Sequence, residues 1–436
     1  MTTSLLTDRY ELTMLQAALR SGAAHRRSVF EVFARRLPEG RRYGVVAGTG
    51  RLLELLQDFR FDDADLAWLE REEVVDGATL AWLADYEFTG SAWGYAEGEC
   101  FFPGSPVLVV EGTFAEAVVL ETLALSVLNH DCAVAAAASR MSAAAGGRPC
   151  LEMGSRRTQE DAAVAASRAA VVAGFVGTSN LEAGRRWGLR TIGTAAHSFT
   201  LLHDDERAAF EAQVASLGPG TTLLVDTYDV RTGVATALEV AGTDLGGVRL
   251  DSGDLVAQAH EVRAQLDAAG ATSTRITVTS DLDEHAIAAL AAAPVDSYGV
   301  GTSLVTGSGA PTAGLVYKLV AREDDDGTMV SVAKASKDKV SVGGRKWALR
   351  RRDPDGTATE EVVGIGRPPV DDGDDRALLV PLVRDGEVVT EHLGAPGVVA
   401  AAERHRASRD ELPRKALQLQ RGEPAIPTRY LQEDPT

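Results

Sequence analysis

The chain has 436 residues, of which 45% are hydrophobic and 25% are charged, and these proportions are typical of a soluble globular protein. Its length is enough for a large hydrophobic core and predicts two or three domains. The 44 basic and 63 acidic side chains give a net charge of −19, which argues against nucleic acid or an anionic membrane as a partner, because both would need a basic face.

The cysteines and the N-terminus indicate where the protein works. Cys100, Cys132 and Cys150 lie far apart and form no Cys-x-x-Cys pair, which argues against a disulfide framework and a structural zinc site. The first residues lack the basic start and apolar core of a signal peptide. The apolar runs are too short, or too often interrupted by charge, to span a bilayer. We therefore expect a cytoplasmic protein without a membrane partner.

Residues 1–145 are expected to form a β-rich N-terminal domain together with bridging helices. Residues 4–21 have apolar side chains at helical spacing and predict an amphipathic helix. Alternation at 28–34 and a β-branched run at 106–110 predict strands. The Ala-rich stretch 115–145 is apolar on all sides, which predicts a buried helix.

Residues 146–320 are expected to form an α/β domain. Strand-like and helix-like runs alternate here, and a predicted strand ends roughly every 20 to 30 residues, which is the spacing of βα units. Six or seven such units in series predict a parallel barrel, with a doubly wound sheet as the alternative. Residues 190–196 are expected to form a short buried strand that ends at His197.

Residues 321–436 show no such alternation. Residues 334–349 are basic and strand-like, 378–392 predict a hairpin around Asp385-Gly386, and 412–420 predict a last short helix. This segment is expected either to complete the small β-rich domain or to decorate the barrel, and both possibilities stay open.

The predicted strand ends carry most of the candidate functional residues. In parallel α/β folds, ligands bind at the carboxyl ends of the strands. The side chains there are cations, hydroxyls and carboxylates, and a random surface would not collect them in one place. They are Arg156, Arg157, Thr178, Ser179, Thr194, His197, Ser198, Asp226, Asp229, Arg249, Asp251, Asp254, Ser280, Asp281, Gly301 and Thr302.

The last two predicted turns favour a phosphate group. Ser280-Asp281 and the Gly-rich turn at Gly301-Thr302 follow the penultimate and final strands, where barrels commonly hold phosphate. Glycine lets backbone N–H groups approach the anion, and helix N-termini favour its charge.

Three arginines are candidates for binding anions. Arg156 and Arg157 have forked donors that match carboxylate or pyrophosphate oxygens. Arg249 is on the same strand face as Asp251. In such a pair the arginine can bind a phosphate group, and the carboxylate can accept hydrogen bonds from ribose hydroxyls. A structural Arg–Asp pair is the alternative.

His197 is the candidate nucleophile. A lone histidine is most often structural, but this one lies in the middle of the series of polar strand ends. A nucleophilic histidine needs its second ring nitrogen held by a carboxylate or carbonyl. Asp229 and Asp251 are both candidates for that role.

Seven motifs occur between residues 5 and about 320. They are LTDRYELTM at Leu6–Met14, FEVF at Phe30–Phe33, GSRR at Gly154–Arg157, GTSN at Gly177–Asn180, GTAAHSF at Gly193–Phe199, VRLDSGD at Val248–Asp254 and YGVGTSLVTG at Tyr298–Gly307. In this order they resemble the nicotinate phosphoribosyltransferase family. Two stretches depart from that resemblance: Thr158–Glu160, where relatives commonly have Ala-Gln-Gly, and Asn129–Asp131, where an aromatic and a glutamine are more usual.

The resemblance implies a fold and a reaction. The fold would be an irregular parallel α/β barrel of the type II phosphoribosyltransferase kind, with a smaller β-rich domain built from N-terminal and C-terminal segments, in a homodimer. The reaction would join nicotinate to phosphoribosyl pyrophosphate, giving nicotinate mononucleotide and pyrophosphate for NAD salvage. ATP hydrolysis would be coupled through a phosphohistidine, and Mg²⁺ would arrive with phosphoribosyl pyrophosphate and ATP rather than in an all-protein site.

The resemblance also implies roles for individual residues. His197 would be phosphorylated, Thr194 and Arg249 would lie in the substrate site, and Thr302 would contact the phosphoribosyl group. Ser198, at the same predicted strand end as His197, is also expected to bind substrate. Tyr10 is similar to the tyrosine that stacks on the pyridine ring from the neighbouring subunit.

The chemistry of the reaction adds two further roles, and two alternative functions stay open. Arg156 and Arg157, with Mg²⁺, would neutralise the pyrophosphate, and Asp251 would hold the ribose diol. The alternatives are a nicotinamide-using relative with the same fold, and a noncatalytic barrel that senses phosphosugars.

Overall fold

The computed structural model of this protein describes residues 2–334 and 341–431. The strands in these ranges are β1 (Arg27–Ala34), β2 (Gly44–Val45), β3 (Ser91–Tyr95), β4 (Cys100–Phe101), β5 (Leu108–Thr113), β6 (Cys150–Glu152), β7 (Thr222–Leu224), β8 (Gly247–Leu250), β9 (Arg275–Val278), β10 (Ser297–Val300), β11 (Leu315–Glu323), β12 (Met329–Ser331), β13 (Lys346–Arg352), β14 (Ala358–Ile365), β15 (Arg376–Ala377), β16 (Leu379–Arg384), β17 (Glu387–Val388) and β18 (Thr428–Leu431).

The α-helices are α1 (Arg9–Ser21), α2 (Thr49–Gln57), α3 (Asp63–Arg71), α4 (Gly77–Ala84), α5 (Phe114–Val118), α6 (Glu121–Ala144), α7 (Glu160–Val172), α8 (Leu181–Trp187), α9 (His197–Leu202), α10 (Glu206–Leu217), α11 (Val230–Ala241), α12 (Leu255–Ala268), α13 (Glu284–Ala289), α14 (Thr302–Val305) and α15 (Gly394–Asp410). Short 3-10 helices occur at Ala23–His25, Gly242–Asp244, Leu290–Ala292, Thr390–His392 and Arg414–Leu417.

Residue contacts group the chain into two compact units. We call Met1–Ala136 together with Ala310–Thr436 the split unit, and Ala137–Gly309 the continuous unit. The first boundary falls inside α6, and the second lies just before β11. The division into domains at residues 145 and 320 that the sequence suggests stays a prediction.

The strands of the split unit pair mainly antiparallel. Its largest sheet has seven strands in the order β12-β11-β1-β5-β3-β16-β17, in which β1 pairs antiparallel with β11 and with β5. A four-stranded sheet has the order β15-β13-β14-β18, and β2 pairs with β4. The hairpin predicted around Asp385-Gly386 is confirmed, since β16 and β17 flank these two residues, whose φ angles of 46° and 85° suit a tight hairpin turn.

The N-terminal helix is confirmed but begins later than the sequence suggests. It begins at Arg9 rather than near residue 4, because Asp8 has an extended backbone and occupies the N-cap position. Leu12 and Leu15 form the buried side of the helix.

One stretch bears on the prediction that the apolar runs are too short, or too often interrupted by charge, to span a bilayer. By length and composition, Phe114–Ala144 could cross a membrane, with a mean hydropathy of 1.4 over its most apolar window. However, 67% of that window is buried inside the protein. A core helix is apolar on all sides because protein surrounds it, so it meets the same criterion.

The C-terminal segment differs most from expectation. The helix predicted at 412–420 is wrong, since only the 3-10 turn Arg414–Leu417 forms there, whereas the 17-residue α15 was not predicted. Glycine and proline in the first turn of α15 hide its pattern, and burial of its inner face stabilises it. The strand predicted at 334–349 forms only from Lys346, and residues 335–340 lie outside the described residues.

The continuous unit contains a parallel sheet, as the alternation of βα units predicts. Its order is β6-β10-β9-β8-β7. Helix α12 buries Ala259, Val262 and Leu266 and is followed by Gly270 with a φ of 81°, which confirms the predicted helix and its end. Because all five strands are parallel, their carboxyl ends lie along one edge of the sheet.

The buried strand predicted at 190–196 was wrong. Single bridges join Glu152 to Thr178 and Thr178 to Thr191, and the chain then continues without further strand pairing among the described residues. Most of these residues are exposed, so no sheet face buries them. His197 is consequently the first residue of α9 rather than the last of a strand.

Candidate active site at the carboxyl ends of the parallel strands

His197 lies among a hydroxyl and two carboxylates. Its Nδ1 is 3.1 Å from the Thr227 hydroxyl oxygen. Its Nε2 is 3.8 Å from Asp226 Oδ1 and 3.8 Å from Asp251 Oδ2. The imidazole is 39% exposed, whereas the Asp226 side chain is 2% exposed. One ring nitrogen is therefore held by a neighbour, and the ring stays accessible from solvent.

The two carboxylates beside His197 are held by hydrogen bonds. Asp226 Oδ2 accepts from the Asp251 backbone N–H at 2.9 Å and from the Ser252 hydroxyl at 2.8 Å. Asp251 Oδ1 accepts from the Thr279 hydroxyl. Asp226 Oδ1 is buried and has no hydrogen-bond partner among the described residues. Within residues 2–334 and 341–431, neither carboxylate pairs with an arginine or lysine, so negative charge is concentrated here.

Arg249 and Thr194 are brought together as the sequence suggests. An Arg249 guanidinium N–H donates to the Thr194 hydroxyl at 2.5 Å, and Arg249 Nε is buried with no hydrogen-bond partner in the described parts of the chain. Burial lowers the pKa of Arg249, and the nearby Asp251 and Asp226 charges partly offset that effect. A direct ion pair between Arg249 and Asp251 does not occur among the described residues. The guanidinium therefore retains donors that can bind an anion.

Arg156 and Arg157 lie in an exposed turn between β6 and α7. The Arg157 N–H donates to the Gly154 carbonyl at 2.8 Å, which closes the turn. Helix α7 begins only at Glu160, with Gln159 as its N-cap, so the arginines precede the helix. Neither guanidinium has an ion-pair partner in the described parts of the chain, which leaves both available to a ligand.

The two turns predicted to hold phosphate have unusual backbones. Ser280 has a φ of 119°, a conformation that favours glycine and that is found where surrounding structure or function requires it. Gly301 lies between β10 and α14, and its carbonyl accepts from the Leu304 N–H at 3.1 Å. Asp281 and Thr302 are exposed beside these turns. The prediction that these four residues bind phosphate stays a prediction.

The structure separates the two carboxylates proposed to orient His197. Asp251 lies beside the imidazole, but Asp229 caps α11 by accepting from the Thr232 N–H at 2.9 Å. The Thr232 hydroxyl and N–H hold the pKa of Asp229 below its usual value. Asp254 similarly caps α12 through the Ala257 N–H at 3.1 Å.

Other residues of the candidate set differ in their surroundings. Ser198 is exposed on α9, and Thr178 is buried, whereas Ser179 is only partly buried.

Thr227 was missed by the sequence reasoning, although its position directly after Asp226, beyond a predicted strand end, was a usable signal.

Tyr10 belongs to the split unit, on α1. It is 45% exposed, and burial together with the charges of Glu121, Glu11 and Asp8 raises its pKa to about 12. Glu11 is buried beneath it and accepts from the Thr122 N–H at 3.0 Å. The predicted contact of Tyr10 with a neighbouring subunit's active site stays a prediction.

Glu206 was also missed. It is the first residue of α10 and is 8% exposed, and its Oε1 has no hydrogen-bond partner among the described residues. Burial raises the pKa of Glu206 to about 7, and the charges of Asp229 and Asp226 add to the effect. A glutamate at a helix start is so common that the sequence offered no signal.

Two further features of the split unit lie outside the predicted site. The stretch Asn129–Asp131 has structural partners, since Asp131 accepts from Arg51 at 3.0 Å and from His130 Nδ1 at 2.8 Å. A cavity of about 620 Å³ contains none of the predicted site residues. It is lined by Arg35, Arg36, Leu37, Pro38, Thr312, Gly314 and Val316.

Comparison with known sequences points to one family. A family model described as the nicotinate phosphoribosyltransferase (NAPRTase) N-terminal domain matches residues 5–129. The chain is 60% identical to nicotinate phosphoribosyltransferase pncB1 of Mycobacterium tuberculosis, over 98% of this chain and 95% of that protein. It is 40% identical to nicotinate phosphoribosyltransferase of Bacillus subtilis, over 80% of this chain and 73% of that protein.

Comparison with solved structures agrees. The crystal structure of human nicotinic acid phosphoribosyltransferase superposes with a TM-score of 0.82 at 27% identity, covering 96% of each chain. The mixed α/β architecture with a parallel sheet is therefore shared with that protein.

Proposed function

Because the chain belongs to the nicotinate phosphoribosyltransferase family, we propose that it is an enzyme of NAD salvage that joins nicotinate to phosphoribosyl pyrophosphate. The products are nicotinate mononucleotide and pyrophosphate. The observation that carries the proposal is His197, which lies against Thr227, Asp226 and Asp251 at the carboxyl edge of the sheet.

The proposed fold of the continuous unit is an irregular parallel α/β barrel. The bridges at Thr178 and Thr191 extend the sheet beyond β6 at one edge, and β7 forms its other edge. The contact between His197, shortly after Thr191, and Thr227, shortly after β7, brings the two edges together. That approach of the edges supports a closed sheet.

The transfer step depends on positioning and electrostatics. Displacement at the ribose C1 atom builds positive charge on the sugar and negative charge on the leaving pyrophosphate. Arg156 and Arg157, which have no ion-pair partner among the described residues, stabilise the pyrophosphate oxygens, and Arg249 with Thr194 holds a second anionic group. Asp251 accepts hydrogen bonds from the ribose hydroxyls.

The carboxylates fit Mg²⁺ that arrives with a substrate. Asp226 Oδ1 is buried and has no hydrogen-bond partner within residues 2–334 and 341–431. Asp226 Oδ1 and Asp251 Oδ2 both lie 3.8 Å from His197 Nε2, so two oxygens of the type that Mg²⁺ prefers are close together. When bound, the ion neutralises phosphate charge.

His197 couples transfer to ATP in this proposal. The hydrogen bond between Nδ1 and Thr227 leaves Nε2 as the nucleophile. A bond forms between Nε2 and the γ-phosphorus while the bond to the β–γ bridging oxygen breaks, which releases ADP. Water later cleaves the N–P bond and releases phosphate. While present, the phosphoryl group adds an anionic oxygen cluster that attracts Arg249 and orders the substrate site.

Phosphorylation of His197 tests the proposal directly. Mass spectrometry of the intact protein after incubation with ATP should detect one acid-labile phosphate, which His197→Ala should abolish. The same variant should lose ATP stimulation and retain slow, ATP-independent transfer. His203→Ala is the matched control, because His203 is the C-cap of the same helix and its Nδ1 bonds to the Phe199 carbonyl at 2.8 Å rather than to a carboxylate of the site. Full ATP coupling in His197→Ala would overturn the assignment.

A competition assay between nicotinate and nicotinamide tests the substrate. We expect preference for nicotinate, because arginine donors suit an anionic carboxylate. Binding of phosphoribosyl pyrophosphate without release of pyrophosphate on addition of nicotinate would instead indicate a noncatalytic sensor.

A further inference from the structure

Glu152 is a completely buried carboxylate at the end of β6. No arginine or lysine pairs with it in the described parts of the chain. Its partners are instead the Gly154 N–H, the Ser167 hydroxyl at 3.0 Å and the Thr178 hydroxyl. Burial of a carboxylate without a cation is costly, so these three hydrogen bonds are its main compensation.

The geometry of these bonds explains why a carboxylate is needed. Gly154 donates to Oε1 and Thr178 donates to Oε2. The Ser167 hydroxyl has one proton and lies 3.0 Å from Oε2 and 2.8 Å from the Ala163 carbonyl, so it shares its donor between these two acceptors. Both oxygens must therefore accept, and a glutamine amide has only one acceptor oxygen.

The three donors come from three different elements. Gly154 begins the turn that carries Arg156 and Arg157, and Ser167 lies on α7. Thr178 follows α7 and forms the single bridges to Glu152 and Thr191. Glu152 thus joins the arginine turn to two neighbouring elements through one buried group.

Two further contacts fix the arginine turn on its other sides. The Asn180 side-chain amide donates to the Ser155 hydroxyl at 3.1 Å, which joins the turns directly. A Cβ atom on Gly154 would lie 2.3 Å from Val305 Cγ1 and 3.2 Å from the Gly301 carbonyl oxygen. The arginine turn is therefore packed against the turn that contains Gly301, with no space for a side chain at residue 154.

We propose that Glu152 is a positioning residue for the pyrophosphate end of phosphoribosyl pyrophosphate. It touches no substrate itself, and it acts by holding the Gly154 backbone so that Arg156 and Arg157 stay at a set distance from the Gly301–Thr302 turn. This inference rests on the proposed phosphoribosyltransferase function. A displacement of about 1 Å in such a clamp can reduce activity about 100-fold.

Glu152→Gln is the principal test. The amide preserves the size of the side chain, but its NH₂ group then faces a group that donates to the carboxylate in the wild-type protein, so two donors oppose each other. We expect KM for phosphoribosyl pyrophosphate and Kd for pyrophosphate to rise about tenfold to a hundredfold, with a smaller change in KM for nicotinate. Steady-state kinetics and isothermal titration calorimetry with pyrophosphate measure these quantities.

A double-mutant cycle separates positioning from general support of the fold. If Glu152 acts through the arginines, Glu152→Gln should raise Kd for pyrophosphate much less in an Arg156→Ala, Arg157→Ala background. An equal fold-change in both backgrounds would overturn the inference. Glu361→Gln is the control for general support of the fold, since this buried carboxylate of the split unit accepts from Tyr95 at 3.1 Å and from Arg350 at 2.5 Å and should change Tm without changing KM for phosphoribosyl pyrophosphate.

The remaining outcomes are distinguishable. A wild-type protein that binds no phosphoribosyl pyrophosphate would refute the proposed function. A wild-type protein that turns over, with Glu152→Gln showing an unchanged KM for phosphoribosyl pyrophosphate, would refute only the role of Glu152. If Glu152→Gln does not fold, Ser167→Ala removes a single donor to Oε2 and should raise the same KM about twofold to tenfold; an unchanged KM in that variant would also refute the role.

Discussion

In the split unit, the buried carboxylates of Glu361, Glu31 and Asp131 each lie against a cation. Glu361 accepts from Arg350 at 2.5 Å, Glu31 from Lys346 at 2.7 Å, and Asp131 from Arg51 at 3.0 Å. In the continuous unit, Asp226, Asp251, Glu152 and Glu206 have no arginine or lysine partner among the described residues. They face hydroxyls, backbone N–H groups, an imidazole or one another.

Each unit has an exception, and both exceptions are informative. Glu284 of the continuous unit pairs with Arg140 at 2.9 Å, and the donors to Glu11 of the split unit among the described residues are hydroxyls and a backbone N–H. Burial raises the pKa of Glu11 to about 7. Breaking a buried ion pair leaves one charge uncompensated and destabilises the fold, whereas neutralising a carboxylate that has no cation breaks no ion pair. The contrast therefore predicts opposite effects of substitution in the two units.

The largest expected effect is on stability, in the split unit. Arg350→Met should lower the free energy of unfolding by about 3–5 kcal/mol, because it leaves Glu361 buried without its cation. Urea denaturation measures the loss, and kcat per folded molecule should stay unchanged. Arg429→Met is the control, since this exposed arginine pairs with Glu360 at the surface and should contribute less than about 1 kcal/mol. Equal losses in the two variants would contradict the contrast.

Asp226→Asn should lower activity without lowering stability, the reverse of Arg350→Met. We expect kcat to fall by about 10²-fold or more, because the variant removes one of the charges beside His197 Nε2. Stability should be unchanged or higher, since a buried negative charge next to Asp251 is removed. Kinetics and urea denaturation of the same preparation test both parts. A large loss of stability would place Asp226 with the structural carboxylates.

Glu206→Gln should have a pH-dependent effect. The pKa of Glu206 is about 7 in the folded protein against 4.5 ordinarily, so the folded state binds more protons between these pH values. The contribution of protonated Glu206 to the free energy of unfolding is therefore lost as the pH rises from 4.5 through 7. Glu206→Gln should stabilise the protein by about 1–2 kcal/mol at pH 8 and have little effect near pH 4.5.

Thermal denaturation at a series of pH values measures this effect. Glu211→Gln, on the same helix with a side chain that is 59% exposed, is the control and should show no such dependence. A stabilisation of Glu206→Gln that is equal at all pH values would contradict the assigned pKa.

The smallest expected effect concerns Asp229. Since this residue caps α11 and does not contact His197, Asp229→Ala should lower Tm by about 1–3 °C and leave ATP coupling intact. Asp205→Ala, which removes the cap of α10, should give a similar decrease. Loss of ATP coupling in Asp229→Ala alone would restore Asp229 as a residue that orients His197.

The success of the sequence predictions follows the range of the interactions involved. Helix α12 and the hairpin at Asp385-Gly386 were predictable because periodicity and turn residues are local properties. Helix α15 was not, because its first turn has poor helix formers and its stability comes from burial. The strand predicted before His197 failed for a similar reason: its residues suit a strand, but strand pairing needs a neighbour, and only Thr191 has one.

The sequence by itself determined the α/β alternation of the continuous unit, the polar strand ends and the likeness to one family. Only the tertiary structure decided which of these side chains meet. His197 lies against Asp226 and Thr227, about 30 residues away, and Glu152 joins Gly154 to Thr178. The physical reason is that local propensity depends on neighbours in the chain, whereas side-chain contacts depend on the register and direction of paired strands.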